Sequence, residues 1–261
     1  MRKVKSPEIY HAKEIMKFKS NSDLKKYYEK MWNKKGYSGY IENGINISKI
    51  YDRKRKKAAL NFLNPKKEEI ILDAGCGNGK ISIKVSKKCR KVYGVDISKN
   101  AFKKVMKINP KKIEFIQTEL EKLPFENNFF DKILCIETLE HVINPERVLK
   151  EFYRVLKSSG TLIITYPTKA IVERIYEFLA PQKKFIISEH LTNYSYSQLK
   201  NKLEVTKFKI IQKKGLFFYI PFQAWFRHTA FGTKKMIGLE TSIDKFMFNQ
   251  NGVALIAKKE N

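Results

Sequence analysis

Apolar residues in this chain follow two spacings that alternate from about residue 48 to the end. Short apolar runs flanked by polar residues or glycine predict strands, and apolar residues three or four positions apart predict helices. Strands that alternate with helices predict an α/β fold, with a mostly parallel sheet covered by helices on both faces. The predicted strands are 70–74, 91–95, 113–117, 132–136, 161–166, 205–212 and 252–258. The predicted helices are 22–33, 48–64, 80–88, 100–108, 144–157, 169–180 and 194–203.

Helix starts and buried faces can be predicted from side-chain chemistry. Ser22 is the expected N-cap of the first helix, and Asn144 followed by Pro145 gives N-cap and N1 of a later one. In the second helix the basic residues 53–57 are expected to be solvated. The residues expected to be buried in the first two helices are Leu24, Tyr27, Tyr28, Met31, Trp32, Ala58, Ala59, Phe62 and Leu63.

The segment from Ile70 to Lys80 joins a predicted strand to a helix through glycines at alternate positions, 75, 77 and 79. Glycine permits positive φ and lets a ligand approach the backbone, and the following helix offers unpaired N–H groups. A dinucleotide-binding fingerprint would need glycine where Lys80 stands. Asp73, just before the turn, favours a cationic or ammonium-bearing ligand over a phosphate.

Acidic residues follow three further predicted strands. Asp96 ends the second strand, Glu119 follows the third and Glu137 follows the fourth. The carboxyl ends of parallel strands meet at one edge of the sheet, where ligands of such folds bind. We therefore expect one site assembled from strand ends, in which Asp96 accepts hydrogen bonds from ribose hydroxyls.

Two motifs carry a resemblance to a known family. Asp73 to Gly79 resembles motif I of the class I S-adenosylmethionine-dependent methyltransferases, and residues 118–125 resemble the Asp-x-Glu-x-Leu-Pro-Phe segment of the branch with quinone-biosynthesis enzymes. The resemblance covers about residues 68–170. It implies S-adenosylmethionine as cofactor and a Rossmann-like, doubly wound, seven-stranded, mostly parallel sheet with an antiparallel last strand.

The same resemblance implies roles for individual residues. Glu119 stands where the family has aspartate and would receive the adenine amino group, while the backbone amide of Leu120 would meet the ring. The implied cofactor-binding residues are Asp73, Ala74, Gly75, Gly77, Gly79, Asp96, Ile97, Glu119, Leu120, Ile136 and Glu137.

Two regions flank the resemblance. Residues 1–48 are predicted to be a helical N-terminal arm or lid, and residues 49–261 the methyltransferase domain, with an aromatic-rich insertion at about 216–248 before the last strand. The tyrosines and glycines of 34–44 suit either a packing face or a lid that closes over the ligands. The insertion suits a hydrophobic cap, an apolar acceptor pocket or a membrane-surface patch.

Charge and cysteine content limit the remaining function classes. The net charge is +27, and residues 1–67 hold 19 Lys/Arg against 6 Asp/Glu. This excess fits either an anionic partner or a compositional bias of the source genome. The three cysteines indicate neither a disulfide framework nor a zinc site, no metal ligand is assigned, and a cytoplasmic location is expected. No apolar run is long enough to span a bilayer.

The acceptor is less well determined than the cofactor. If the methylated group must lose a proton, His141 and His190 are the candidate general bases. The alternatives are a helix-capping or structural role for His141 and a plain loop position for His190. The segment from Ile136 to Leu139 lacks the Asn/Asp-Pro-Pro-Tyr/Phe motif of base-amino methyltransferases, whereas Cys135 leaves cytosine methylation open.

Three functions remain open, with the first favoured. They are methylation of a small-molecule acceptor, methylation of RNA through the basic N-terminal region, and non-catalytic cofactor binding by an interaction protein. The partner predictions are accordingly a small-molecule acceptor, RNA or a membrane surface, with no oligomeric state predicted.

Overall fold

The helices and strands of the chain follow the predicted alternation. The computed structural model describes residues 18–33, 46–108, 110–168, 190–192, 194–216 and 252–260. The helices are α1 (Asn21–Asn33), α2 (Asn46–Leu63), α3 (Lys80–Ser86), α4 (Lys99–Met106), α5 (Pro145–Val155) and α6 (Tyr196–Val205), with a 3₁₀ turn at Leu139–His141. The strands are β1 (Ile70–Ala74), β2 (Lys91–Asp96), β3 (Ile113–Gln117), β4 (Phe130–Ile136), β5 (Leu156–Tyr166), β6 (Phe208–Gly215) and β7 (Val253–Lys259).

The seven strands form one sheet in the order β3-β2-β1-β4-β5-β7-β6. Strands β1 to β5 pair in parallel, and β7 pairs antiparallel with both β5 and β6. This confirms the predicted mostly parallel sheet with an antiparallel last strand. Chain order reverses at β1, where β2 lies on one side and β4 on the other, so the glycine turn leaves the sheet at its switch point.

Side chains alternate between two apolar layers because successive residues of a strand point to opposite faces. In β1, Leu72 joins the layer that includes Phe152 of α5 and Leu203 of α6. Its neighbour Ile71 joins the opposite layer, with Ala59 of α2. These five side chains are all fully buried. Helices therefore cover both faces, as the alternation predicted.

Helix and strand ends confirm some predictions and correct others. The Asn144 side chain accepts a hydrogen bond from the Arg147 amide at 3.1 Å, so the predicted N-cap is confirmed. The first helix begins one residue earlier than predicted, and its cap is Ser20, whose hydroxyl accepts from the Asp23 amide at 3.3 Å. The Ser22 prediction was wrong because the helix already begins at Asn21, so Ser22 lies inside its first turn. Strand β5 begins at Leu156, directly after α5, and not at residue 161.

Some predictions lie outside the described residues. These are the helix at 169–180, the glycine- and tyrosine-rich segment 34–44, and all but the first residue of the insertion at 216–248. Within the described part of the chain, no helix has both the length and the apolar character needed to cross a membrane.

Candidate functional site

The glycine turn after β1 is shaped by backbone contacts on both sides. Gly75, Gly77 and Gly79 all have positive φ, at 74°, 51° and 69°. The amides of Gly75 and Cys76 both donate to the Val95 carbonyl, at 2.8 and 2.9 Å, which ties the turn to β2. A Cβ at Gly75 would lie 2.2 Å from the Thr138 side chain. The turn therefore requires glycine both for its conformation and for its contact with the loop after β4.

Asp96 lies at the carboxyl end of β2 and faces the glycine turn. One carboxylate oxygen accepts from the Gly77 amide at 2.9 Å and the other from the Ser98 amide at 3.0 Å. Burial nevertheless raises the pKa of Asp96 to about 6, and the negative charge of Glu29 adds to the shift. Each oxygen keeps lone-pair capacity, so this half-buried carboxylate can still accept ligand hydroxyls.

Asp73 supports the turn from the buried side. Its carboxylate accepts a hydrogen bond from the Ser82 hydroxyl of α3 at 2.5 Å. Burial raises the pKa of Asp73 to about 6, and the nearby charge of Asp96 contributes. Asp73 thus links the strand, the turn and the start of α3, and places a second acidic group behind the glycines. Ser82 gave no signal in the sequence, because a serine inside a helix pattern usually indicates nothing.

The predicted adenine contacts lie after β3. Leu120 is buried, and Glu119 is half-buried with its carboxylate accepting from the Asn21 side chain of α1 at 2.8 Å. The Thr118 amide donates to the Asp96 carbonyl at 3.0 Å, which places Glu119 close along the backbone to the predicted ribose site. The structure therefore brings the second and third strand ends together as expected.

Helix α1 covers this edge of the sheet, which the sequence did not predict in detail. Glu29 accepts hydrogen bonds from the amides of Lys99 and Asn100 at the start of α4, and from the Gln117 side chain at the end of β3. Trp32 lies over Gly77, with a ring carbon 3.4 Å from where a glycine Cβ would stand. The contacts of Glu29 join residues about 70 to 90 positions apart, and Trp32 and Gly77 are 45 positions apart, so no local pattern could reveal them.

Glu137 begins the loop after β4 in a left-handed conformation, with φ 46°. Its amide donates to the carbonyl and hydroxyl of Thr165 on β5, both at 3.2 Å, and its carboxylate pairs with Arg55 of α2. The second carboxylate oxygen is buried without a hydrogen-bond partner among the described residues. A residue held in a strained conformation by its surroundings is typical of ligand-binding sites.

The next residues of this loop bring the two predicted catalytic histidines together. The ring centroids of His141 and His190 are 5.0 Å apart, and His141 packs edge-on against Tyr28 of α1. The Leu191 amide donates to the Glu140 carbonyl at 2.9 Å, which holds the segment with His190 against the 3₁₀ turn. Burial lowers the pKa of His190 to about 3, so its imidazole is neutral at physiological pH.

Glu140, which no sequence motif indicated, lies beside these rings, with a carboxylate oxygen within 4.8 Å of a ring nitrogen of each. Its side chain is fully buried, and burial together with the charge of Glu137 raises its pKa well above the usual range. Glutamate followed by histidine in a loop gives no signal of burial, because burial here depends on the distant segment that carries His190.

Two further features bear on the RNA alternatives. Cys135 is fully buried in β4, and burial raises the pKa of its thiol, so it is not an accessible nucleophile for cytosine methylation. In the basic stretch of α2, Arg55 turns inward to Glu137 and Lys56 pairs with Asp52 at 2.6 Å. The prediction that residues 53–57 are wholly solvated was therefore wrong, because Arg55 neutralises a strand-end acid.

Comparison with known proteins agrees with this architecture. Residues 72–164 match the family described as "Methyltransferase domain". An uncharacterised protein of Methanocaldococcus jannaschii is 30% identical over 199 residues, which span 75% of this chain and 79% of that protein. A ubiquinone biosynthesis O-methyltransferase of Rickettsia typhi is 27% identical over 227 residues, which span 82% of this chain and 87% of the relative.

Solved structures share the fold. Magnesium protoporphyrin IX methyltransferase from Synechocystis, solved with bound S-adenosylhomocysteine, has a TM-score of 0.62 at 15% identity and covers 90% of this chain and 100% of its own. The glycine turn, the strand-end acids and these matches lead to one conclusion: the chain belongs to the class I S-adenosylmethionine-dependent methyltransferases, in the branch that includes enzymes of quinone biosynthesis.

Proposed function

We propose that this protein transfers a methyl group from S-adenosylmethionine to a small, apolar acceptor molecule that binds beside the loop after β4. The observation that carries the proposal is the contact between Thr138 and Gly75, which would clash if Gly75 had a Cβ. This contact supports the proposal because the loop after β4 then lies directly against the turn proposed to cradle the cofactor. Donor and acceptor sites are thus neighbours at one sheet edge.

The residues at this edge fit the cofactor. In the proposal Asp96 and Ile97 hold the ribose, since the Asp96 carboxylate is already oriented by two backbone amides and has capacity for two hydroxyls. Glu119 and Leu120 hold the adenine. The residues around the methionine part are Asp73, Ala74, Gly75, Gly77, Gly79, Ile136 and Glu137. Acidic residues predominate among the charged ones, which suits a ligand that carries an ammonium and a sulfonium charge.

Bound S-adenosylmethionine supplies an electrophilic methyl group. The protein's part is to orient the reactants and to exclude water, and orientation alone can lower a barrier by up to about 7 to 11 kcal/mol. The rigid glycine turn and its hydrogen bonds to β2 provide the orientation on the donor side. His141 and His190, at the edge where the acceptor would bind, remain the proposed catalytic residues.

We assign helix α1, within the predicted arm of residues 1–48, the role of a lid. Trp32 over Gly77, Asn21 on Glu119 and Glu29 on the start of α4 contact three parts of the proposed cofactor site at once. A lid that rests on the ligand site shields the transfer from water and leaves room for a compact acceptor. This favours a small molecule over a base within a folded RNA.

The names of relatives support a proposal for the chemical class of the acceptor. The Rickettsia typhi relative bears the name of an O-methyltransferase of ubiquinone biosynthesis and aligns over 87% of its length. We therefore propose an aromatic or lipid-like hydroxyl compound as acceptor. The aromatic-rich insertion at 216–248 is the part of the chain proposed to contact it.

The proposal is tested by a transfer assay with methyl-labelled S-adenosylmethionine and an extract separated into RNA, protein, lipid and small-metabolite fractions. We expect label in the lipid or small-metabolite fraction, and far less of it with Asp96→Ala. Glu114→Gln, which removes a carboxylate on β3 that pairs with Lys91 at 3.3 Å, is the matched control and should transfer normally. Label in RNA or protein alone would refute the proposed acceptor class.

A further inference from the structure

Glu140, His141 and His190 form a cluster whose donor atoms suit a metal ion. One ligand atom from each side chain lies within 4.8 Å of the others. Two come from the 3₁₀ turn after β4, and His190 is held there by the hydrogen bonds of Leu191 and Thr192 to the Glu140 carbonyl, at 2.9 and 3.1 Å. The cluster is therefore assembled by the fold and not by chance proximity on a surface.

The Glu140 side chain provides a second, independent observation that points to a ligand. Its side chain is fully buried, and neither carboxylate oxygen has a hydrogen-bond partner among the described residues. A buried polar group without a partner costs several kcal/mol, and an unpaired charge costs more. The Nε2 atom of His141 lies 3.8 Å from a Glu140 oxygen, beyond hydrogen-bond distance.

We propose that this cluster binds one divalent transition-metal ion, with Zn²⁺ as the best fit. Two imidazoles and one carboxylate are an established ligand set for catalytic zinc, whereas Mg²⁺ and Ca²⁺ prefer oxygen ligands alone. Ligands of tetrahedral Zn²⁺ at about 2.1 Å lie roughly 3.4 Å apart, so small side-chain rotations would close the cluster on an ion. The bound cation would become the partner that the Glu140 carboxylate lacks.

The surrounding charges permit a cation here. Arg55 of α2 pairs with Glu137 at this loop, and its positive charge also acts to lower the pKa of Glu140. The other Glu137 oxygen is buried without a hydrogen-bond partner in the described part of the chain, which adds negative potential beside Glu140. A divalent ion held by Glu140 would add positive charge that favours the ionised form of both carboxylates.

The position of the cluster suggests what the metal does, and this step rests on the proposed function. Three protein ligands leave a coordination position open, and both histidines are half-buried beside the loop where the acceptor is proposed to bind. An acceptor hydroxyl bound there would lose its proton to water more readily. Its oxygen then forms the bond to the methyl carbon while the carbon–sulfur bond breaks and its electrons stay on sulfur. The cluster therefore predicts O-methylation.

A rival explanation is that Glu140 stays protonated and buried without any ion. The substitution Glu140→Gln separates the two, because glutamine copies the shape and neutrality of the protonated acid but is a poor metal ligand. Under the rival explanation this variant behaves like the wild type in every metal titration.

The test is calorimetric titration of the full-length, chelator-treated protein with ZnCl₂. We expect one Zn²⁺ per chain, and binding weaker by more than about 100-fold in Glu140→Gln and in His190→Gln, because each removes a direct ligand. Glu114→Gln, the same chemical change outside the cluster, should bind like the wild type. Absence of stoichiometric binding by the wild type, or equal binding by Glu140→Gln, would overturn the proposal.

Two further measurements keep the result interpretable. Co²⁺ added to the wild type should give the visible absorption of a tetrahedral site, so the proposal can be decided even if a variant fails to fold. Absence of this absorption would contradict the proposed metal site.

A separate titration with S-adenosylmethionine tests the proposed function alone. Cofactor binding without Zn²⁺ binding would overturn only the metal site, and Zn²⁺ binding without cofactor binding would overturn only the proposed function.

Discussion

The carboxyl ends of the strands form one edge of the sheet, with a donor half around Asp73 and Asp96 and an acceptor half around Glu137 and Glu140. The two halves differ in how their carboxylates are hydrogen-bonded. On the donor side, the Asp73 and Asp96 carboxylates receive hydrogen bonds from Ser82, Gly77 and Ser98. On the acceptor side, Glu140 has no hydrogen-bond partner among the described residues, and Glu137 has a partner for one oxygen only. The donor half is organised before a ligand arrives, whereas the acceptor half has polar groups that need one. Changes in the two halves should therefore have separable effects.

The largest effect is expected from Asp96→Ala on the donor side. The change removes the proposed ribose acceptor and leaves the Gly77 and Ser98 amides without theirs, so affinity for S-adenosylmethionine should fall about 100-fold or more. Equilibrium dialysis with labelled cofactor measures the loss. Zn²⁺ binding should be unchanged, and its parallel loss would show that the two halves are not independent.

Gly75→Ala should disrupt the contact between the glycine turn and the Thr138 side chain, which joins the two halves. The new Cβ would lie 2.2 Å from Thr138, at a φ of 74° that alanine rarely adopts. Together these effects should lower the free energy of unfolding by about 2 to 4 kcal/mol, measured by urea denaturation.

A double variant separates the clash from the backbone strain. Gly75→Ala with Thr138→Ala should recover about half of the loss, because only the clash is relieved. If the double variant loses the sum of the two single effects, the two residues do not meet as described.

Cofactor binding should depend on pH through Asp96. The pKa of this carboxyl is raised to about 6, chiefly by burial, with Asp73 and Glu29 as the neighbouring acids. The ionised form accepts the ribose hydroxyls, so affinity should be full above about pH 6 and fall as pH decreases through that value. Calorimetry across pH 5 to 8, in about half-unit steps, checks this. Asp96→Asn should bind weakly at every pH; a wild-type slope in that variant would assign the titration to another group, such as Asp73.

The smallest effect is expected from the lid. Trp32→Ala removes the ring over Gly77, and affinity for S-adenosylmethionine should fall about tenfold, or ~1.4 kcal/mol. Trp32→Phe should retain most of the affinity, since an aromatic ring is kept. Fluorescence-monitored unfolding should differ little between the variants, because Trp32 lies outside the two main layers of the sheet core. An unchanged cofactor affinity in Trp32→Ala would exclude α1 as a lid.

The sequence predicted those parts of the fold that depend on local patterns. Strands β1 and β3 were placed to the residue, because each is a short apolar run between turns, and the glycine turn was identified because positive φ restricts the residue type. The strand-end positions of Asp96 and Glu119 followed from strand order alone.

The acceptor half was predicted less well, for a physical reason. Glu140 becomes a buried group only because the distant segment of Leu191 and Thr192 hydrogen-bonds over its carbonyl. In the sequence, Arg55 is one of several basic residues in a stretch that is expected to be exposed. Its ion pair with Glu137 forms only when the chain folds. Such contacts depend on tertiary packing, to which periodicity and motif spacing are insensitive.

Calorimetric titration of the intact protein with S-adenosylmethionine, with and without a chelator present, tests most directly whether the donor half binds the cofactor. The donor half is complete in the protein alone, with its glycine turn and Asp96 already held by backbone hydrogen bonds. We predict one cofactor bound per chain under both conditions. Failure of the protein to bind S-adenosylmethionine in either condition would contradict the account.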